Sequence, residues 1–253
     1  MSDLAPALER HRIDATVVVQ TVYLPDETPE LLELAESDPH VAGVVGWTDL
    51  RAPDVSDRLG QLHLLPGAER LVGIRHPLLE EPDPRWLCRP DVRRGLRAVG
   101  AAGLAYDLVV TPEQLPAVID TARALGELRF VLDHGGKPWF RTDSLDPWRT
   151  DVLELARLPN VAVKLSGLVT EADESTWSVE LNRPYAEVLL DGFGPDRVMF
   201  GSDWPMCLLA ASYDEVVTAT DQFTSGLSGP ELDAVFGATA VGWYRLPVSS
   251  RGG

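Results

Sequence analysis

Six apolar segments of this sequence end in side chains that can move protons or hold a polar ligand. They close on Gln20, on Trp47 with Asp49 just beyond, on Arg75-His76, on Asp133-His134, on Lys164 with Ser166, and on Asp203-Trp204. Gathered in one place they supply a carboxylate, two imidazoles, a guanidinium, an ammonium and an indole, a set suited to activating water beside a polarised carbonyl. Asp203 and His134 stand out. A carboxylate that ends an apolar strand is costly to bury without a partner or a task, although Asp203 in Gly201-Ser202-Asp203-Trp204-Pro205 also fits a helix cap. His134 opens onto Gly135-Gly136, where a ligand or backbone can approach closely. Arg75 and His76 fit either substrate contact or a structural ion-pair corner. Of 22 basic residues only Lys137 and Lys164 are lysines, and Lys164 lies inside an apolar strand, where a compact, tunable ammonium has a use. Lys137, between Gly136 and Pro138, reads as a residue that orders a loop. Among seven tryptophans Trp204 is placed to stack on a ligand. His11, His40 and His63 fall in helical or loop contexts and read as solvated. Asp107 and Asp133 stand in apolar strands, facing inward or tied into a network.

The elements that must position these groups recur down the chain. Segments rich in Val, Ile, Leu and Phe occur at Ala15–Gln20, Val41–Trp47, Leu71–His76, Leu104–Val110, Arg129–His134, Val161–Ser166 and Val198–Asp203. Their first residues are spaced by 26, 30, 33, 25, 32 and 37 positions, the length of a strand, a crossover helix and two loops. Helix signals fill the gaps. Thr111-Pro112-Glu113-Gln114, Ser212-x-x-Glu215 and Ser228-x-x-Glu231 fit capping boxes, and Pro29, Pro112 and Pro147 fit first helical positions. Strict alternation of strand and helix predicts a parallel sheet covered by helices, and a unit near 30 residues favours a (β/α)8 barrel over an open sheet. Seven strands are visible, with Leu4–His11 a helix leading into the first. No Pro/Gly/Ser-rich linker divides the chain, so residues 1–253 read as a single barrel domain.

Composition narrows the classes of partner. The 253 residues are 45% hydrophobic and 24% charged, ordinary globular usage. Acidic residues outnumber basic ones 39 to 22, for a net charge of −17, which disfavours nucleic acid and anionic membranes. No apolar run approaches the roughly 20 residues of a membrane-spanning helix, and residues 1–12 lack a secretion signal's pattern. A cytoplasmic protein is expected. Cys88 and Cys207 form no Cys-x-x-Cys pair and read as reduced thiols.

The segments Val198–Cys207, Val131–Pro138 and Val163–Leu168 resemble those of the amidohydrolase-related lactonases, with the L-fuconolactonase and L-rhamnonolactonase group nearest. Gly73-Ile74-Arg75-His76 and Thr16–Thr21 fit that family's fourth and second strands. The likeness runs from about Leu4 to Leu246. It implies a TIM-type barrel of the metal-dependent hydrolase superfamily that opens a sugar-acid lactone with water. It also implies Asp203 as general base and His134 beside the carbonyl. Arg75, His76, Lys164 and Gln20 would then hold the hydroxyls or carboxylate of the sugar acid, with Trp204 against its ring. The expected partner is a small lactone, and self-association stays open.

The family begins with a strand ending in a His-x-His pair that polarises the carbonyl or ligates a divalent metal such as zinc. No His-x-His occurs in this sequence. The strand count agrees, and the expectation is that the first strand lies upstream of Met1. Without the pair, carbonyl activation of about 3 kcal/mol per group, or the whole metal site, is lost. The sheet also keeps an open seam able to pair with another chain. Two further readings therefore stay open: an inactive barrel fragment that binds or oligomerises, and a metal-dependent decarboxylase of the same superfamily.

Overall fold

The apolar segments do become strands, each starting within one residue of the expected position, although the fifth and seventh stop two and three residues short of the expected ends. In this computed structural model, which describes residues 1–140, 144–171 and 177–247, they are β1 Thr16–Val19, β2 Val41–Gly46, β3 Leu71–Pro77, β4 Ala105–Val109, β5 Phe130–Leu132, β6 Val161–Leu165 and β7 Val198–Phe200. All neighbours pair in parallel, in sequence order from β1 to β7. Helices alternate with them: α1 Ala5–Arg10, α2 Glu27–Ser37, α3 Val55–Leu62, α4 Pro90–Ala101, α5 Leu115–Ala124, α6 Trp148–Ala156, α7 Leu168–Glu171, α8 Val179–Phe193, α9 Tyr213–Phe223, α10 Gly229–Asp233 and α11 Thr239–Tyr244. The three capping boxes form as expected, at Thr111, Ser212 and Ser228. Pro112 is the first residue of its turn, whereas Pro29 sits third in α2 and Pro147 caps α6. All three positions lie where helix N–H groups have no intrahelical partner.

Because side chains alternate across a strand, the sheet carries two separate cores. Val44, Ile74, Tyr106, Leu108, Phe130, Leu132, Val161 and Val163 face the helices and pack on Leu32, Leu96, Val118, Val152 and Leu189. Val45, Val72, Ala105, Val131, Ala162 and Met199 face the opposite, inward side and pack on Tyr244 and Trp243 of α11. The inward side is concave, since Arg75 on β3 reaches Asp133 next to β5, and Lys164 on β6 reaches Asp107 on β4, each across an intervening strand. The result is a curled, incomplete barrel with α11 lying against its inner core.

Among the described residues β1 pairs only with β2, and β7 only with β6. Helices tie the two ends of the sheet instead. Leu4 and Leu8 of the N-terminal segment pack on Tyr213 and Val217 of α9, with Phe200 of β7 alongside. Arg10 donates to both oxygens of Asp214, and His11 Nε2 lies 2.6 Å from the same carboxylate. No helix among the described residues is long and apolar enough to cross a membrane.

Gly95 shows how closely the outer layer is fitted. A Cβ at this position of α4 would lie 2.2 Å from the Leu50 carbonyl oxygen, so helix and loop touch backbone to backbone. Gly95→Ala is expected to cost about 1–3 kcal/mol by forcing α4 outward. Urea unfolding followed by circular dichroism checks this, and an unchanged midpoint would contradict the contact.

Candidate active site

The inward faces of β3 to β6 bring four charged side chains into the barrel above the apolar layer. Arg75 donates from one Nη to Asp133 Oδ2 at 3.0 Å and from the other to the Gln20 carbonyl at 2.7 Å. Lys164 Nζ donates to Asp107 Oδ2 at 2.6 Å, and Asp133 Oδ1 lies 2.7 Å from the same ammonium, an ion-pair contact off the hydrogen-bonding direction. The Tyr244 hydroxyl, 137 residues away in α11, donates to the Asp107 carboxylate at 2.8–2.9 Å. Both carboxylates are fully buried, whereas Arg75 and Lys164 each keep 12% of their side chains exposed. The aspartates are anchors and the cations reach solvent.

Electrostatics follow from that burial. Loss of solvent pushes the Asp107 carboxyl up to about 6, against the pull of Lys164. Burial works in the same sense on Asp133, but the Lys164 and Arg75 cations hold it below the usual carboxylate range. Burial also opposes the charge on Lys164, yet Asp107 and Asp133 keep its pKa above the ordinary lysine value. Removing one member of such a set typically costs about 3–5 kcal/mol, because it leaves a buried charge unpaired.

Just beyond the strand ends lie His134 and Asp203. β5 stops at Leu132 because residues 134–137 turn through left-handed backbone, with φ of 53°, 59°, 75° and 48°. Asp203 has φ 56° and follows β7 in the same manner. Such conformations cost about 1 kcal/mol or more for residues with a side chain and cluster at functional positions. His134 Nε2 stands 3.7 Å from Asp203 Oδ1, and His134 Nδ1 shares a 2.9 Å hydrogen bond with Ser166 Oγ. Burial lowers the His134 pKa despite the nearby Asp203 and Asp133 carboxylates, which favours the neutral ring. Lys137 pairs with Glu171, joining the turn after β5 to α7 as a loop-ordering residue.

The structure thus brings Asp203 and His134 together, and joins Arg75 to Lys164 through Asp133. Two expectations need correction. Gln20 is 2% exposed, and its side chain is consumed within its own loop: it donates to the carbonyls of Val22 and Leu24 and accepts from Thr28. Only its backbone carbonyl serves the site, through Arg75. His76 follows Arg75 and so points to the opposite side of β3. There it stacks on Trp86 at 4.4 Å, accepts from Trp47 Nε1 at 3.2 Å and lies 2.8 Å from Glu81, so both ring nitrogens are engaged. Trp204 is half-buried against Leu4, Leu8 and Tyr213 on one cluster and Val169 and Cys207 on another. His11, His40 and His63 lie outside this cluster as expected, but each has an intramolecular partner, Asp214, Asp38 and the Leu59 carbonyl respectively.

A sequence profile of the amidohydrolase family matches residues 2–246. The chain belongs to that family. An L-fucono-1,5-lactonase of Burkholderia multivorans is 42% identical to this amidohydrolase over 258 residues, covering 96% of this chain and 85% of that protein. An L-fucono-1,5-lactonase of Burkholderia ambifaria is 36% identical, covering 96% and 84%. A crystal structure of an amidohydrolase from Burkholderia multivorans with bound zinc superposes with a TM-score of 0.92 at 40% identity, covering 97% of this chain and 88% of that one.

Whether this amidohydrolase could itself hold such a metal is a question of donors. A protein-bound catalytic zinc takes three protein ligands. His134 and Asp203 offer two, and among the described residues no three His, Cys, Asp or Glu side chains converge. The described donors do not fit a metal site of that kind, so no chemical step is routed through one.

The Asp107 carboxyl yields a test of the charged layer. Its folded pKa of about 6 exceeds the roughly 3.9 of an unfolded chain, so the stability it contributes is present below about pH 4 and lost as pH rises through 6. Between pH 4 and 7 the wild type is expected to lose about 1–3 kcal/mol relative to Asp107→Asn. Parallel urea titrations of the two proteins measure it, and superimposable pH profiles would remove Asp107 from this role.

Proposed function

We propose that this amidohydrolase hydrolyses the lactone of a sugar acid, with L-fucono-1,5-lactone the first substrate to try. The observation that carries this reading is the placement of Asp203 beside His134, at the strand ends beyond two cations held by buried aspartates. The L-fucono-1,5-lactonases at 42% and 36% identity support the choice of substrate class.

In this reading Asp203 takes a proton from water, and the water oxygen forms a bond to the lactone carbonyl carbon. A water can lie within hydrogen-bonding distance of both Asp203 Oδ1 and His134 Nε2, since these atoms are 3.7 Å apart. His134, neutral and able to donate from one nitrogen, stands beside the oxyanion as it develops. The bond from the carbonyl carbon to the ring oxygen then breaks, and the proton held by Asp203 passes to that oxygen. The product is the open hydroxy acid. Arg75 and Lys164 bind the hydroxyls and the new carboxylate. An ammonium has three N–H groups, and Lys164 donates one to Asp107 with a second near Asp133, leaving donor capacity for a ligand. A neutral lactone and an anionic product also differ in how they meet a protein of net charge −17, which favours release of the acid.

The unpaired outer edges of β1 and β7 support a second reading, an inactive barrel that associates through those edges. The two are separated by assaying a panel of aldonolactones alongside sedimentation of the same sample. Turnover is expected, and Asp203→Asn is expected to lower kcat by about 10²–10⁴ while leaving the urea midpoint nearly unchanged. A wild-type protein without turnover that sediments as a dimer would favour the second reading. Undiminished kcat in Asp203→Asn would remove Asp203 as the base.

A further inference from the structure

Ser166 directly follows β6 and is almost fully buried, and its hydroxyl has one hydrogen-bond partner among the described residues, His134 Nδ1 at 2.9 Å. A hydroxyl can donate or accept, so this contact alone fits either imidazole tautomer. The other ring nitrogen decides between them. Nε2 faces Asp203 Oδ1 at 3.7 Å, too far for a direct hydrogen bond but close enough for the carboxylate to favour a proton on that nitrogen over a lone pair. With the proton on Nε2, Nδ1 is an acceptor and Ser166 must donate.

We propose that the Ser166 hydroxyl donates to His134 Nδ1 and, together with the Asp203 carboxylate on the far side of the ring, holds the imidazole with its proton on Nε2. His134 is then a hydrogen-bond donor into the site, and Asp203 is the base beside it. Ser166 is a positioning residue in this scheme, acting through His134, and the inference rests on the catalytic reading of His134 and Asp203 given above. Gly167 completes the arrangement. Its φ is +67°, and a Cβ there would lie 2.7 Å from His134 Nδ1, so the ring rests directly on backbone and meets Ser166. The left-handed turn at His134 presents the ring from the other side, with φ 53°. Because the ring is buried and neutral, its tautomer, rather than its charge, is what a neighbour can set.

The test reads the ring nitrogens directly. The full chain labelled with ¹⁵N-histidine is followed by long-range ¹H–¹⁵N correlation at pH 8, with His134 assigned by its loss in His134→Gln. The wild type is expected to show the proton on Nε2. Ser166→Ala is expected to show a mixed population, with kcat on an aldonolactone down about tenfold and KM changed less than about threefold. Its urea midpoint, measured on the same sample, is expected to match the wild type, which separates positioning from a loss of folding. A wild-type ring protonated on Nδ1, or an Ser166→Ala spectrum identical to wild type, would overturn the proposal. If the wild type turns over no lactone, the assigned activity fails, while the spectra still decide what Ser166 does to the ring.

Discussion

Two ionised carboxylates with no exposure to water are the condition that the rest of this molecule must satisfy. A carboxylate in a protein interior is tolerated only when cations and hydrogen-bond donors surround it. Asp107 and Asp133 obtain these from β3, from β6 and from α11, elements drawn from both halves of the chain. The pairing across alternate strands holds the sheet in its curl. The phenol of Tyr244 can serve Asp107 only if α11 lies against the inner core, which it does by packing on Val45, Val72 and Ala105. Burial keeps that phenol protonated far above its ordinary range, so it remains a donor.

The same layer divides labour in the site. Arg75 and Lys164 project from regular strands, so backbone pairing and their aspartate partners fix where they stand. His134 and Asp203 come from left-handed residues where strands have just ended, which aims their side chains in directions a continuing strand would not allow. Under the proposed mechanism, the groups that would hold a ligand are thus placed by the sheet, and those that would transfer protons by strained turns above it. In both cases a second residue orients the first: Asp133 and Asp107 for the cations, Ser166 and Gly167 for the imidazole.

Much of this could be read from the chain itself. Periodic apolar segments and their spacing located all seven strands, and polar residues at the segment ends located Asp203, His134, Arg75 and Lys164. What escaped was direction and distance. His76 looked equivalent to Arg75, but adjacent strand residues face opposite ways, and a register shift between Val44 and Val45 on the neighbouring strand obscures which is which. Gln20 ends its segment like the others, yet its amide is claimed by carbonyls two and four residues ahead. Tyr244 carries no local signal, because its partner is 137 residues away. Ser166 was visible beside Lys164, but its contact with His134 depends on how two strand ends meet, and no pattern in one sequence reports that.

The clasp between α1 and α9 has a consequence for the strand ends. Neighbouring strands meet through short excursions of chain, whereas Arg10 and Asp214 are joined across 204 residues. Closing so long a loop costs entropy that only a few groups repay: an apolar patch of Leu4, Leu8, Tyr213 and Val217 and an ion pair with both side chains about half exposed. Such an exposed contact is weak beside the buried charge layer, which does not depend on it. Trp204 packs on the same patch and follows Asp203 directly. Any displacement of the N-terminal helix would therefore be felt at the residue next to the proposed base, which makes this surface clasp a route by which the outside of the fold reaches the strand ends.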